Sequence, residues 1–374
     1  MKMSRRDFVV AGISALAAPA LARNPSTLDD LTLDGLARAK GIRFGSMVGL
    51  ADADGSQADV RYWDLLKAQC SIVSPENALL WQVVHPAPEK YDFQHGDRLA
   101  AKASAAGLEM RGRTLLWNRK KYLGWVVDHD FGSQPVIASS FTLSGHIETV
   151  IRQYPGIRSW DVVSQTVDPK TGALRQTPFT RYLEQETVDL AFHISRGVAP
   201  DAQLVYNDSM SWEPGSRKHR AGVLRMLARA KAHGVPINAL GLQSNITLES
   251  EAIGALVKAR SREWRTFLED VSAMDMDILI TELDCDGRRL RIDKTRRDQA
   301  VADYTRAYLD LTLSFLRVKS VQIRGLANLH PGLPLKDAPR AGEEPQRTSL
   351  YDADLQPKPV REAIAQAFRS MPAR

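Results

Sequence analysis

Short apolar runs recur eight times along this chain, seven of them closing on an amide or an acid, with helix-like stretches between them. The runs lie at 43–48, 71–77, 109–118, 159–165, 203–208, 239–246, 277–284 and 320–328. Asp277-Ile278-Leu279-Ile280-Thr281-Glu282-Leu283-Asp284 shows the type clearly, apolar and partly β-branched at first and acidic at its end. A run of this length bounded by polar residues is the pattern of a strand buried on both faces. Between the runs, 97–106 is Ala-rich, and 141–154, 180–195, 216–233, 261–274 and 298–318 are amphipathic. Gly107 and Gly234 stand where a helix C-cap would place them. Eight alternations of strand and helix predict an α/β chain closed as a (β/α)8 TIM barrel, a single domain. A doubly wound open sheet is the other arrangement of such units, but no G-x-G-x-x-G follows the first strand.

The barrel prediction gives the strand ends a meaning, because chemistry in such barrels sits at the C-terminal mouth. The ends carry Glu76 and Asn77, Asn118, Gln165, Asn207 and Asp208, Gln243 and Asn245, Glu282 and Asp284, and Asn328. A ring of amides and carboxylates suits a polyhydroxylated ligand, which needs many donors and acceptors and little net charge. Tryptophan supplies the apolar face that a pyranose stacks on. Of seven tryptophans, Trp81 and Trp117 lie closest to strand ends and are assigned to the site.

Residues 1–22 are set apart from the barrel, which is assigned to 23–374. Ser4-Arg5-Arg6-Asp7-Phe8-Val9-Val10 is a twin-arginine pattern, followed by a small apolar stretch and the cleavage-type triplet Ala20-Leu21-Ala22. Export by the twin-arginine route to the periplasm or beyond is expected. The apolar stretch is too short for a permanent membrane anchor. Cleavage would remove three cations and one anion and take the formal charge from +6 to +4. That mild basicity does not call for nucleic acid. Cys70 and Cys285 fall at opposite ends of a parallel barrel and are expected as free thiols. The eight histidines are scattered, and nothing in the spacing asks for a metal or another cofactor. The chain is taken as a monomer.

With these motifs in order, the chain resembles glycoside hydrolase family 10, the β-1,4-xylanase family of (β/α)8 barrels. The resemblance runs from about residue 40 to 368. Its anchors are Ser74-Pro75-Glu76-Asn77 with Trp81, Arg111-Gly112-Arg113-Thr114-Leu115-Leu116-Trp117, Ser159-Trp160-Asp161-Val162-Val163, Tyr206-Asn207-Asp208, Gly241-Leu242-Gln243-Ser244 and Ile280-Thr281-Glu282-Leu283-Asp284. The resemblance implies retaining hydrolysis of a polysaccharide by two glutamates, a nucleophile and an acid/base. Glu282 falls on the nucleophile position. The acid/base position holds Gln165, which has no transferable proton, and the sugar-holding Asn before it is Ser164. Leu80, Arg113, Asn118, Asn245 and Arg324 replace a Lys, three His and a Trp of the family pattern.

Three functions are compatible with these residues. The first is an active glycosidase that takes its acid from elsewhere, with Glu76, Asp168, Asp208 and His330 as candidates. The second is a glycan-binding protein that keeps the groove without the reaction. The third is an accessory factor for an exported polysaccharide. Arg119-Lys120-Lys121 after the third strand and Arg288-Arg289-Leu290-Arg291 after the seventh, joined by Arg113 and Arg324, point to an acidic polysaccharide bearing uronate or pyruvate groups.

Overall fold

The computed structural model describes residues 32–49, 57–327 and 349–374. Ten strands form one parallel sheet: β1 (Arg43–Val48), β2 (Ile72–Pro75), β3 (Glu109–Met110), β4 (Gly112–Trp117), β5 (Ser159–Ser164), β6 (Gln203–Asp208), β7 (Ala239–Leu242), β8 (Asn245–Thr247), β9 (Asp277–Asp286) and β10 (Val318–Ile323). Their order is β3-β2-β1-β10-β9-β7-β6-β5-β4, with β8 pairing β9 beside this path. The two ends of that order, β3 and β4, are halves of one strand separated only by Arg111, whose N–H still bonds Val73 O at 2.9 Å. The sheet therefore closes on itself as the (β/α)8 barrel expected from the sequence.

Two strands and one helix differ from their predicted outlines. The third strand is divided at Arg111. The sixth turns at Gln243-Ser244 and resumes as β8, whose Asn245 lies opposite Asp284. The expected helix over 180–195 is two, Pro178–Leu183 and Glu186–Val198, broken where Glu184 takes φ +45°. Gly107 and Gly234 do end their helices at φ +70° and +71°.

The main core lies between sheet and helices and includes Trp264, Tyr308, Phe192, Leu204 and Ile278. The barrel interior is more polar. Arg111 donates to Asp161 at 2.5 Å, to Gln322 at 2.9 Å and to Ser159 at 3.0 Å. Asp161 also accepts from Asn207 Nδ2 at 2.8 Å, and Asn207 Oδ1 accepts from Thr281 at 2.9 Å. A buried charge persists only when it is paired and hydrogen-bonded. Here the partners come from β5, β6, β9 and β10, so one network ties four strands to the Arg111 joint between β3 and β4 beneath the mouth. Gly112 is required beside it, because a Cβ there would lie 2.0 Å from the Trp160 ring. No helix among the described residues is long and apolar enough to cross a membrane. Residues 1–22, with the twin-arginine pattern, lie outside the described residues.

Candidate active site

Glu282 sits five residues into β9, the longest strand, and only 6% of it is exposed. Arg113 of β4 reaches across the barrel and pairs through Nη2 with Glu282 Oε1. The same guanidinium donates to Glu76 O at 3.4 Å, lies 5.2 Å over the Trp117 ring, and brings Nε within 4.0 Å of Asp161. Burial pushes the Glu282 carboxyl above its ordinary range. Arg113 and then Arg324 oppose that shift, while Asp161 and Glu76 add to it, and the balance stays upward. Arg324 stands 3.8 Å from Glu76 and 3.7 Å from Asp284. Four carboxylates and two guanidiniums thus converge around the nucleophile position.

Gln165 follows β5 with φ +53°, a strained value for a residue with a side chain. Its amide is held on both sides. Nε2 donates to Gln243 Oε1 at 2.5 Å, and Oε1 accepts from Arg119 Nη1 at 3.0 Å. Its backbone carbonyl accepts from Arg175 Nε at 2.8 Å. The sequence placed Arg119 in a basic loop facing the glycan, not against Gln165, and gave Arg175 no part in the site. The turn signal Asp168-Pro169-Lys170-Thr171-Gly172 held the clue. It folds back through a Val167–Leu174 bridge and returns Arg175 alongside Gln165.

The other assigned residues divide into rim and interior. Glu76, Asn77, Trp117 and Arg324 are half-buried at the mouth, and Asn245 is exposed. The Trp117 ring stacks on Tyr122 at 3.8 Å, an aromatic pair not foreseen. Gln243 is buried and serves as the partner of Gln165. Four residues assigned to the substrate lie deeper. Trp81 is 2% exposed and stacks on His146 at 3.6 Å, so its face is already covered by protein. Asn118 is fully buried between Thr166 at 2.5 Å and Thr177 at 2.7 Å. Ser164 bonds Thr114 at 2.9 Å, and Asn207 belongs to the Asp161 network.

The acid candidates separate in the same way. Asp208 is buried and engaged by Tyr206 Oη at 2.5 Å, the Ser209 N–H at 2.7 Å and His219 at 3.1 Å. At Asp168 burial raises the carboxyl, but the Lys170 and Thr171 N–H groups and Arg175 outweigh it and leave the group below its usual range. That makes it a poor proton donor at neutral pH. Glu76 remains at the rim, while His330 and Asn328 lie outside the described residues. Among the described residues no cluster of His, Cys, Asp or Glu could hold a metal ion.

The signature of Glycosyl hydrolase family 10 matches residues 32–367, almost the whole described chain. The chain belongs to glycosyl hydrolase family 10. A β-1,4-xylanase of Dictyoglomus thermophilum is 34% identical over 189 residues, covering 50% of this chain and 51% of the relative. The chain thus spans about half the length of that relative. Endo-1,4-β-xylanase B of Thermotoga neapolitana is 24% identical over 343 residues, covering 90% of this chain and 91% of the relative. Xylanase 10B of Thermotoga petrophila RKU-1, solved in complex with xylobiose, superposes with a TM-score of 0.77 at 23% identity, covering 90% and 97% of the two chains. The family and these relatives are O-glycosyl hydrolases of the endo-1,4-β-xylanase type.

Proposed function

We propose that the chain is an endo-β-1,4-xylanase-like glycoside hydrolase that cleaves a β-linked, acidic polysaccharide by a retaining mechanism with Glu282 as nucleophile and without a proton from residue 165. The pairing of Arg113 with Glu282 carries the reading. Burial alone would favour the neutral acid, and the guanidinium supplies the charge that keeps a carboxylate possible there. Arg113 engages Oε1, so the attack falls to Oε2.

In the first step Glu282 Oε2 forms a bond to the anomeric carbon. The glycosidic C–O bond breaks, and its electron pair goes to the leaving oxygen. An amide at position 165 cannot protonate that oxygen, so charge builds on it. Arg119, hydrogen-bonded to Gln165, is the cation beside that charge. Water then attacks the glycosyl ester, displaces Glu282 and loses its proton to solvent. Losing general acid assistance costs about 10²–10⁴-fold on a poor leaving group and little on a good one.

A second reading rests on the Gln165 amide. Held between Gln243 and Arg119, it fits a groove that binds glycan and leaves it intact. Aryl β-xylosides with a graded series of phenols separate the two. The hydrolase reading expects turnover that rises steeply as the phenol becomes more acidic and disappears in Glu282→Ala. It also expects about a 10²–10⁴-fold gain on xylan in Gln165→Glu. Oligosaccharide binding with no turnover of any aryl xyloside by either protein would establish the binding reading instead.

A further inference from the structure

A cavity of about 520 Å³ opens beside Gln165, between the single-turn helix Lys120–Tyr122 after β4 and the 167–174 hairpin after β5. Arg119, Lys120, Lys121 and Arg175 line it, with Asp168 as the acid in its wall. Asp168 is matched to Arg175 at 3.3 Å, and the Arg119 hydrogen bond goes to an uncharged amide oxygen. The wall therefore carries a surplus of positive charge. Burial, and the nearby charge of Arg175, press Arg119 toward losing its own. Among the described residues Leu174 is the single aliphatic side chain in the wall, so an apolar guest has little to bury against.

The second basic loop is different. Arg288 holds Asp286 at 2.8 Å and Arg289 pairs with Glu249, so those charges are met within the protein. Arg119, Lys120 and Lys121 of the first loop instead line the cavity.

Position fixes which part of the guest arrives there. Glu282 attacks the anomeric carbon from one face, and residue 165 stands beside the leaving oxygen. The cavity lies beyond residue 165, on the side of the departing sugar. We propose that it is a subsite for a carboxylate-bearing sugar, a uronate unit on the leaving-group side of the glycan. Arg119 offers a planar fork that matches a carboxylate, Lys120 and Lys121 add charge at the rim, and the exposed Thr171 adds a polar side chain for the sugar.

The inference rests on the glycan-cleaving reading above, and one titration tests both. The full chain is titrated with two xylo-oligosaccharides of equal length, one unbranched and one bearing a glucuronate branch, in low and high salt. The expected result is a preference of about three- to tenfold for the branched ligand in low salt, as for a few partly exposed ion pairs. High salt should shrink it. Lys120→Gln combined with Lys121→Gln should lower it while leaving the unbranched affinity unchanged, and both side chains are exposed enough for the fold to tolerate the change. Equal affinity for the two ligands, or a preference that survives both salt and substitution, overturns the subsite and leaves the glycan-cleaving reading intact. Binding of neither ligand overturns both.

Discussion

Arg113 decides what Glu282 can do. Their pairing spans the barrel from β4 to β9 and joins residues 169 positions apart in the chain. Glu282 and Gln165 were legible in the sequence because each stands at the polar end of an apolar run, where a barrel exposes side chains, although β9 itself runs on to Asp286. The pairing was not legible, since register and strand tilt decide which side chains meet across the interior. The sequence placed Arg113 against the substrate, whereas the structure turns it onto Glu282. Replacing Arg113 with Met should have two effects. An unpaired buried carboxylate would cost about 3–5 kcal/mol of stability, read by urea unfolding near neutral pH. Removing the largest opposing charge should also raise the Glu282 carboxyl further, since burial already lifts it. In the proposed mechanism Glu282 attacks as a carboxylate, so the acid limb of kcat/KM on an activated aryl xyloside should move to higher pH. An unmoved limb would mean that Arg113 does not govern the ionisation of Glu282.

At the scale of elements, the strands were readable because they are runs of buried apolar residues, most with a polar end. Trp81 shows where that kind of reading stops. It begins a short helix, Trp81–Val84, and adjacency to a strand end made it resemble a sugar platform. Whether an indole faces the cleft or the core depends on what the next helix brings against it. Here the helix Pro135–Gln153 brings His146, and Trp81, His85, His146 and Tyr91 form one stack. The two imidazoles meet Nδ1 to Nδ1 at 3.2 Å, and His146 Nε2 reaches Leu115 O at 3.1 Å. Burial lowers His85 from 6.5 to about 4 and holds His146 well below its ordinary value. A folded value below the unfolded one means that the unfolded chain takes up the proton first. Stability is therefore full above about pH 6.5 and lost as pH falls toward 4. Both imidazoles add to this loss, read as a falling urea unfolding free energy between pH 7 and 5. His85→Gln should flatten that slope, and an equally steep slope in the variant would place the proton uptake elsewhere.

For the whole molecule, closure joins what lies far apart in the chain. β1 pairs with β10, Arg43 opposite Ser320, so the barrel is incomplete until its eighth strand arrives. The helix Pro359–Ser370 then seals the seam, with its buried Phe368 ring 5.8 Å from Phe44 of β1. Closure was readable in outline from eight alternations, but the seal was not, because a final amphipathic helix carries no mark of which strands it covers. This order of events bears on export. The twin-arginine pattern at Arg5 and Arg6 would send a folded chain across the membrane, and we propose that this chain takes that route. On that route the barrel would close before it crosses, so loss of closure should lower export. Phe368→Ala should cost about 3–5 kcal/mol through the cavity it leaves, read as a lowered midpoint in urea. In cells the same variant should accumulate less in the periplasmic fraction than in the cytoplasm. Arg5→Lys with Arg6→Lys should hold back the wild-type barrel without changing its stability. Unchanged periplasmic yield in that double variant would rule out the route, and a lowered midpoint with undiminished export of Phe368→Ala would uncouple folding from it.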